Sequence, residues 1–370
     1  VRILFTRFPL ESRMGGAEVQ TLALMRGLQE RGHEVMFLGS CPVLLREAFS
    51  FQLSAVRLKI GSPPVTKWRA LSFLWEQCSM RRKLHASFSI LHSSFHPDAV
   101  VMLSLTEKLL LTPYLHAQGI TVIWVEHDRV GCWLTKNPWL PRLRKLSRYA
   151  TTIVVSELSK AIYERLGFAN VIAIPNGIDV SRLSGNRNAE DGNQKVEFRV
   201  GTIARLSWDK GVDVLIEAVK GLEDVSLTIV GTGPEEQKLK AESRKLQACS
   251  LLPYRENLHD FYASLDIFVL PSREHDPFGL VAGEAMLCGI PVIVTDACGI
   301  AGYVKSESDA IVVPADDPQA LRAAITSLMA HDAKREMIGR EGRKTAERLF
   351  GMEKMVEGYE RVIQTMESSP

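Results

Sequence analysis

Short apolar runs rich in β-branched residues, with no polar alternation, recur along the chain and lead through glycine-bearing turns into helical patterns. A strand that reads apolar on both faces has to be covered on both, which is the condition of a parallel sheet flanked by helices. Arg2–Thr6 is the first such run. Gly15-Gly16, a helical pattern over about Ala17–Arg31, a stop at Gly32 and a strand at His33–Leu38 follow it. That order opens a doubly wound sheet. Ala99–Leu103, Thr121–Val125 and Thr151–Val155 extend it.

The grammar restarts in the second half. Phe198–Arg205 is a predicted strand and Gly211–Lys220 a helix. Val225–Val230 is a strand ending in G-T-G-P, Glu235–Leu246 a helix, and Leu265–Leu270, Pro291–Thr295 and Ala310–Val313 are strands. Between the halves, Val171–Ile174 runs into the turn-rich Pro175–Asp179, where the domain junction is placed. A length of 370 residues exceeds one comfortable core, so two domains, 1–178 and 179–350, are expected. Residues 351–370 form an amphipathic helix, with Met355, Val356, Tyr359 and Val362 on its apolar stripe, expected to pack back on the first domain. Asn186–Lys195 is polar and reads as an exposed loop.

Composition narrows the class. The chain is 46% hydrophobic and 24% charged, as a globular protein is, and no run approaches the ~20 apolar residues of a membrane span. Ile3–Phe5 is strand-length and broken by Arg7 and Pro9, so no signal peptide is expected. Six cysteines without ligand spacing read as free thiols in a reducing compartment. The net charge of +2 hides an asymmetry: residues 1–180 carry 22 Lys/Arg and 13 Asp/Glu, the remainder 23 and 30. No zinc-finger, helix-turn-helix or RNP signature accompanies the basic half, which argues against a nucleic-acid partner. Two basic stretches carry Trp, Lys67–Trp75 running on to Arg81-Arg82-Lys83, and Trp139–Tyr149. As amphipathic helices they suit an anionic membrane surface or an acidic or lipid-linked acceptor; equally, they suit helices that cover a sheet.

The chemistry concentrates at Leu270–Pro291, L-P-S-R-E-H-D-P-F-G-L-V-A-G-E-A-M-L-C-G-I-P. Asp276 and Glu284 flank a strand-end loop that opens a helix, and Gly279 between them permits close approach of backbone to a ligand. One acid can hold a sugar and the other the ribose of its nucleotide. Arg205 and Lys210 follow the first strand of the second domain, just before Gly211 and a helix, the charge and N–H supply a diphosphate needs. His127 ends the Thr121–Val125 strand and can contact a sugar hydroxyl or steady charge at the reacting carbon; Glu126 and Asp128 are expected to raise its basicity. The other histidines form no metal-spaced set, and neither G-x-G-x-x-G nor a P-loop occurs.

With these motifs the chain resembles the retaining glycosyltransferases of the two-Rossmann-domain type, the large group-4 family. The match of P-S-x-x-x-D-P-F-G-L-V-x-x-E-A-M-x-x-G-x-P carries the likeness. The family's E-x7-E pair falls on Asp276 and Glu284, with Asp in the first place; Glu274 is out of register by two. The resemblance implies an α/β fold of two Rossmann-like domains with parallel sheets facing a central cleft (GT-B). It implies that Glu284 binds the ribose and that Arg205 and Lys210 hold the diphosphate of a UDP- or GDP-sugar. Asp276, with the backbone around Phe278, Gly279 and Leu280, would hold the transferred sugar. His127 would lie beside it, Gly16 would sit in a flexible loop over the phosphates, and Gly231 and Gly233 would line the nucleotide pocket. No cofactor or metal is implied beyond the donor substrate. A lipid-linked or cell-surface glycan is the expected acceptor, and the cytoplasm, at the cytoplasmic face of a membrane, the expected location. A glycoside phosphorylase or synthase of soluble sugars, or a nucleotide-sugar-binding protein with impaired catalysis, is the alternative.

Overall fold

The computed structural model describes residues 1–9, 15–179, 197–254 and 258–367. The polar stretch Asn186–Lys195 lies outside them. The chain divides into two compact units, Val1–Gly177 with Met352–Pro370, and Ile178–Gly351.

The first unit contains β1 (Arg2–Arg7), α1 (Gly16–Glu30), β2 (Glu34–Gly39), α2 (Pro42–Ser50), β3 (Ser54–Arg57), α3 (Lys67–Phe95) and β4 (Ala99–Met102). It continues with α4 (Leu105–Leu110), α5 (Thr112–Ala117), β5 (Thr121–Glu126), α6 (Cys132–Thr135), α7 (Leu140–Leu146), β6 (Thr151–Val154), α8 (Glu157–Arg165) and β7 (Val171–Ala173). Seven parallel strands take the order β3-β2-β1-β4-β5-β6-β7. Ile3 is paired with Val35 on one side and Ala99 on the other. Successive side chains of β1 serve opposite faces: Leu4 lies in the cluster that holds Leu84 and Phe88 of α3, while Ile3 and Phe5 pack under α1 and α2. Helix α1 stops where Gly32 takes a left-handed φ of +86°, as a C-terminal glycine does.

The second unit holds β8 (Phe198–Ile203), α9 (Val212–Val219), β9 (Val225–Val230), α10 (Glu236–Ser243), β10 (Cys249–Leu252), α11 (His259–Ala263) and β11 (Ile267–Leu270). Then come α12 (Leu280–Leu287), β12 (Val292–Thr295), β13 (Ile311–Val313), α13 (Pro318–Ala330) and α14 (Asp332–Leu349). Its six parallel strands are ordered β10-β9-β8-β11-β12-β13. Val200 on β8 pairs with Leu227 on β9 and Ile267 on β11.

The chain returns to the first unit at Met352, in α15 (Met352–Glu367). Met355, Val356, Tyr359 and Ile363 are buried there with Leu24, Met25 and Leu28 of α1. Burial of each contributes on the order of 2 kcal/mol. Gly27 of α1 permits the approach, since a Cβ there would run into Val356.

Central strands fall where the sequence predicts them, while the edge strands β3 and β10 go unpredicted. Edge strands are covered less completely, and Ser54–Arg57 is largely exposed. Helix α14 is also missed, because its buried stripe is thin and built of small residues. Gly339 and Gly342 let its backbone approach the carbonyls of Gly289 and Asp309.

Tyr359→Ala removes a large side chain, 2% exposed, from this core. It is expected to destabilise the first unit by roughly 3–5 kcal/mol. Five of the six tryptophans belong to this unit, so Trp fluorescence in urea reports its unfolding. An unchanged midpoint would show that α15 contributes nothing to the core.

Candidate functional site

In the second unit the winding direction reverses between β8 and β11. Loops leaving neighbouring C-terminal ends at such a point diverge and open a crevice for ligands. The β8 loop carries Arg205, Asp209 and Lys210, and the β11 loop carries Ser272, Arg273 and Asp276.

Lys210 Nζ donates to Asp276 Oδ2 at 2.6 Å, and Ser272 Oγ donates to the same oxygen at 3.2 Å. The two charged side chains are 19% and 11% exposed. A charge-assisted bond is strong in such a setting, and the loss of either partner would leave a poorly solvated charge behind. Neither bond uses Asp276 Oδ1, and an ammonium has three donors, so both groups retain capacity for a ligand. Arg205 is 65% exposed and is steadied from one side: its Nε donates to Ser207 Oγ at 3.1 Å and its Nη2 lies 3.5 Å from Asp209 Oδ2. Ser207 Oγ donates in turn to Asp209 Oδ1 at 2.7 Å.

Arg273 holds the two loops together. It donates to Asp213 at 2.9 Å, to Asp316 at 2.7 Å and to the Trp208 carbonyl at 2.7 Å, with its guanidinium 4.8 Å from the centre of the Trp208 ring. Hydrogen bonds to these two acids outweigh desolvation and raise its pKa further. The Arg273 and Glu274 amides both donate to the Asp209 carbonyl. Gly211 turns the chain from the β8 loop into α9 at φ +62°, where a Cβ would run into the Pro271 carbonyl.

Gly231 and Gly233 end β9. A Cβ on Gly231 would strike the Ala204 carbonyl, and one on Gly233 the Leu206 carbonyl. They let the β9 loop pack on the segment that carries Arg205, and the Leu206 amide donates to the Thr232 carbonyl at 2.9 Å. Gly279 caps α12 at φ +94°, and Leu280 is its first residue. The Ala282 amide donates to the Gly279 carbonyl at 3.0 Å, while the Leu280 and Val281 amides, ahead of it, have no carbonyl partner within the helix. The Phe278 side chain is 2% exposed and packs edge-on against Phe350, so only backbone at this position can serve a ligand. Glu284 lies one turn into α12 and accepts the Tyr262 hydroxyl on Oε2 at 2.7 Å. Burial, then Glu284 itself, raises the Tyr262 pKa well above the ordinary value and keeps it a donor.

The first unit gathers its own polar groups at the C-terminal ends of β1, β4 and β5. Arg7 pairs with Glu18 of α1 at 2.6 Å. Lys108, 2% exposed, donates to Glu126 at 2.8 Å and to the Val125 carbonyl at 2.9 Å. Beside it Glu107 is fully buried; its Oε1 accepts the Ser104 amide at 2.7 Å. Burial pushes the Glu107 pKa up to about 8 against the pull of Lys108 and its hydrogen bonds.

Two expectations need correction here. His127 is not made more basic by its neighbours. Burial, with Arg7 and Lys108 adding, pulls it down to about 3, so the imidazole is neutral. Its Nδ1 is buried and has no hydrogen-bond partner among the described residues. The Glu126 carboxylate is already committed to Lys108. Gly16, expected in a flexible loop, is the first residue of α1, with Gly15 extended as its cap.

Asp276, Lys210 and Arg205 thus come together at the reversal of the second sheet, with Glu284 on the neighbouring helix and His127 in the first unit. Asp209, Ser272, Arg273, Tyr262 and Lys108 were not singled out from sequence. S-W-D-K and P-S-R flank the predicted site residues closely enough to have suggested the first three. Tyr262 precedes Glu284 by 22 residues, and no local signal links them.

Two doubly wound units, one carrying cations and carboxylates at the reversal of its strand order, define the GT-B class of sugar-transferring enzymes. The family model described as Glycosyltransferase Family 4 matches residues 14–182, and that described as Glycosyl transferases group 1 matches residues 186–345. The chain belongs to these family 4 glycosyltransferases. An uncharacterized glycosyltransferase of Methanocaldococcus jannaschii is 25% identical over 82% of this chain and 84% of its own length. A GDP-mannose-dependent alpha-(1-6)-phosphatidylinositol dimannoside mannosyltransferase of Mycobacterium tuberculosis is 24% identical, over 64% of this chain and 66% of its own. Among solved structures, Anabaena HepE in complex with UDP superposes with a TM-score of 0.80 at 18% identity, covering 99% of this chain and 100% of that one. That likeness is one of fold.

Glu107 supplies a pH signature. Between its ordinary value of 4.5 and about 8 the folded state holds a proton that the unfolded state has released. Stability therefore falls as pH rises through that window, by up to ~1.4 kcal/mol per pH unit. His127, neutral in the fold and titrating in the unfolded chain around its ordinary 6.5, contributes equally to wild type and to a Glu107 variant, so the difference between them isolates Glu107. Urea melts of wild type and Glu107→Gln from pH 6.5 to 8 should diverge, the variant gaining relative stability as pH rises. Parallel curves would show that Glu107 is ionised in the fold.

Proposed function

We propose that this enzyme transfers a glycosyl group, with retention at the anomeric carbon, from a nucleoside diphosphate sugar to a hydroxyl of a lipid-linked or cell-surface glycan. The observation that carries this reading is the placement of Arg205, Lys210 and Asp276 at the C-terminal ends of β8 and β11, where the sheet order reverses. Arg205 presents most of its guanidinium to solvent and Lys210 keeps two donors, which suits a diphosphate. Asp276 Oδ1 and the backbone at Phe278–Leu280 suit the hydroxyls of the transferred sugar. Glu284, oriented by Tyr262, suits the ribose. In the second unit Gly231 and Gly233 suit the nucleotide; in the first unit Gly16 and the neutral His127 suit the acceptor.

In this reading the bond from the anomeric carbon to the diphosphate oxygen breaks. The acceptor oxygen bonds to that carbon on the same face, and its proton passes to a phosphate oxygen of the leaving group. Arg205 and Lys210 take up the charge that develops on the diphosphate. No side chain is assigned as a nucleophile. The mannosyltransferase relative's GDP-mannose and phosphatidylinositol dimannoside, and the UDP in the HepE crystals, support a GDP- or UDP-sugar donor and a lipid-linked acceptor, met at the cytoplasmic face of a membrane.

Thermal-shift titration against UDP-, GDP- and ADP-sugars is expected to show selective stabilisation by one nucleotide; no response to any of them would overturn the donor assignment. In a transfer assay with the responding donor, Lys210→Ala and Glu284→Ala should each lower the rate at least ~100-fold. Near-wild-type rates in both would sink the assignment. The anomeric configuration of the product, read by NMR, tests retention directly.

A further inference from the structure

Helix α3 is apolar on two opposite faces, and the first unit covers only one of them. Ala70, Phe73, Met80, Leu84, Phe88 and Leu91 form the covered face. Toward the start of the helix that face packs on the segment around α7 rather than on the sheet. The Trp139 indole donates to the Ala70 carbonyl at 3.0 Å and meets the Phe73 ring edge-on at 5.0 Å. On the other side Trp68 is 82% exposed, Trp75 78%, and Leu71 and Leu74 50% each. Trp68, Trp75 and Arg82 are spaced by seven residues, so they lie on one stripe. Isolated exposed hydrophobic residues are ordinary; two tryptophans and two leucines within eight residues of one helix make a patch.

The charge around the patch identifies what would cover it. Lys67, Arg69, Arg81, Arg82 and Lys83 are all exposed, and Glu76 is the sole acid of the helix. None of these five cations forms an ion pair among the described residues. Arg142, hydrogen-bonded to Gln77 at 3.2 Å, adds a further cation beside them. Of the two Trp-bearing basic stretches in the sequence, only this one turns its tryptophans outward; Trp139 is 9% exposed.

Topology also places the patch. In a parallel sheet the helix after β3 begins at the strands' C-terminal ends and finishes at their N-terminal ends. Phe95 is followed within four residues by β4, which anchors the far end of α3 at the N-terminal edge. At 1.5 Å per residue the helix is roughly 43 Å long, about twice the ~20 Å of a six-residue strand. Its first turns therefore reach past the C-terminal edge, the end at which Arg7, Lys108 and His127 lie. We infer that the Trp68–Trp75 face of α3, with the cationic Arg81-Arg82-Lys83 cluster, docks on an anionic phospholipid bilayer. The indoles would seat at the headgroup level while the cations meet the negative surface. The inference goes beyond the transfer reaction and does not depend on which donor or acceptor is used.

The test is co-sedimentation of the full chain with vesicles of phosphatidylcholine alone and of phosphatidylcholine with phosphatidylglycerol. Wild type should bind the anionic vesicles at least ~10-fold more tightly, with a loss of binding at high salt. Trp68→Ser/Trp75→Ser and Arg81→Glu/Arg82→Glu, all at exposed positions, should each weaken that binding at least ~10-fold. Their thermal midpoints and nucleotide-induced shifts should match wild type, which separates lost docking from misfolding and from failure of the donor assignment. Equal binding by wild type and both variants, or none by wild type, would overturn the inference. So would a concentration-dependent dimer in vesicle-free buffer that the Trp variants abolish, since the face would then be covered by a second copy of the chain.

Discussion

A sheet whose strands all run parallel has to be covered on both faces, and that requirement organises each unit of this enzyme. Every return from one strand to the next passes through a helix or an irregular crossover, so all loops that follow strands collect at one edge. Polar side chains excluded from the two cores gather at that edge. In the second unit they are Arg205, Lys210, Ser272 and Asp276; in the first they are Arg7, Lys108, Glu126 and His127. The chemistry is located by the covering rule before any individual residue is considered.

Both edges contain a nearly buried Lys–carboxylate pair. Lys210–Asp276 at 2.6 Å joins the loops after β8 and β11, and Lys108–Glu126 at 2.8 Å joins the start of α4 to the end of β5. Withdrawing such charges from water is costly, and the pairing offsets the cost only with good geometry and further hydrogen bonds. Ser272 and the Val125 carbonyl supply those bonds. Neither pair is needed to close a core, and hydrophobic pairs of equal volume would serve stability as well. In the proposed reading the Lys210–Asp276 pair stands at strand ends to meet the donor.

Legibility differed from residue to residue. Asp276, Gly279 and Glu284 stood out because one loop and one helix carry them all within nine residues, and local pattern suffices over that span. Arg205 and Lys210 were readable because a strand end and Gly211 bracket them. The Arg273 clamp was not, since its partners Asp213 and Asp316 lie 60 and 43 residues away. His127 was expected to gain basicity from Glu126 and Asp128, and burial leaves it a neutral imidazole instead. Sequence neighbours advertise charge, whereas the pKa answers first to burial, and the neighbouring carboxylate was already taken by Lys108.

The amino-acid sequence by itself determined the fold class, the central strands of both sheets and the acidic pair of the second unit, because apolar periodicity and glycine placement are local properties. Tertiary structure alone decided which groups remain available. It fixed Tyr262 on Glu284 and Lys210 on Asp276, turned Trp139 inward and left Trp68 and Trp75 outside. It also set the amphipathic α15 against α1 in the first unit. A hydrophobic stripe states that a face must be covered; which surface covers it depends on where the chain has brought the other stripes, and no local pattern contains that information.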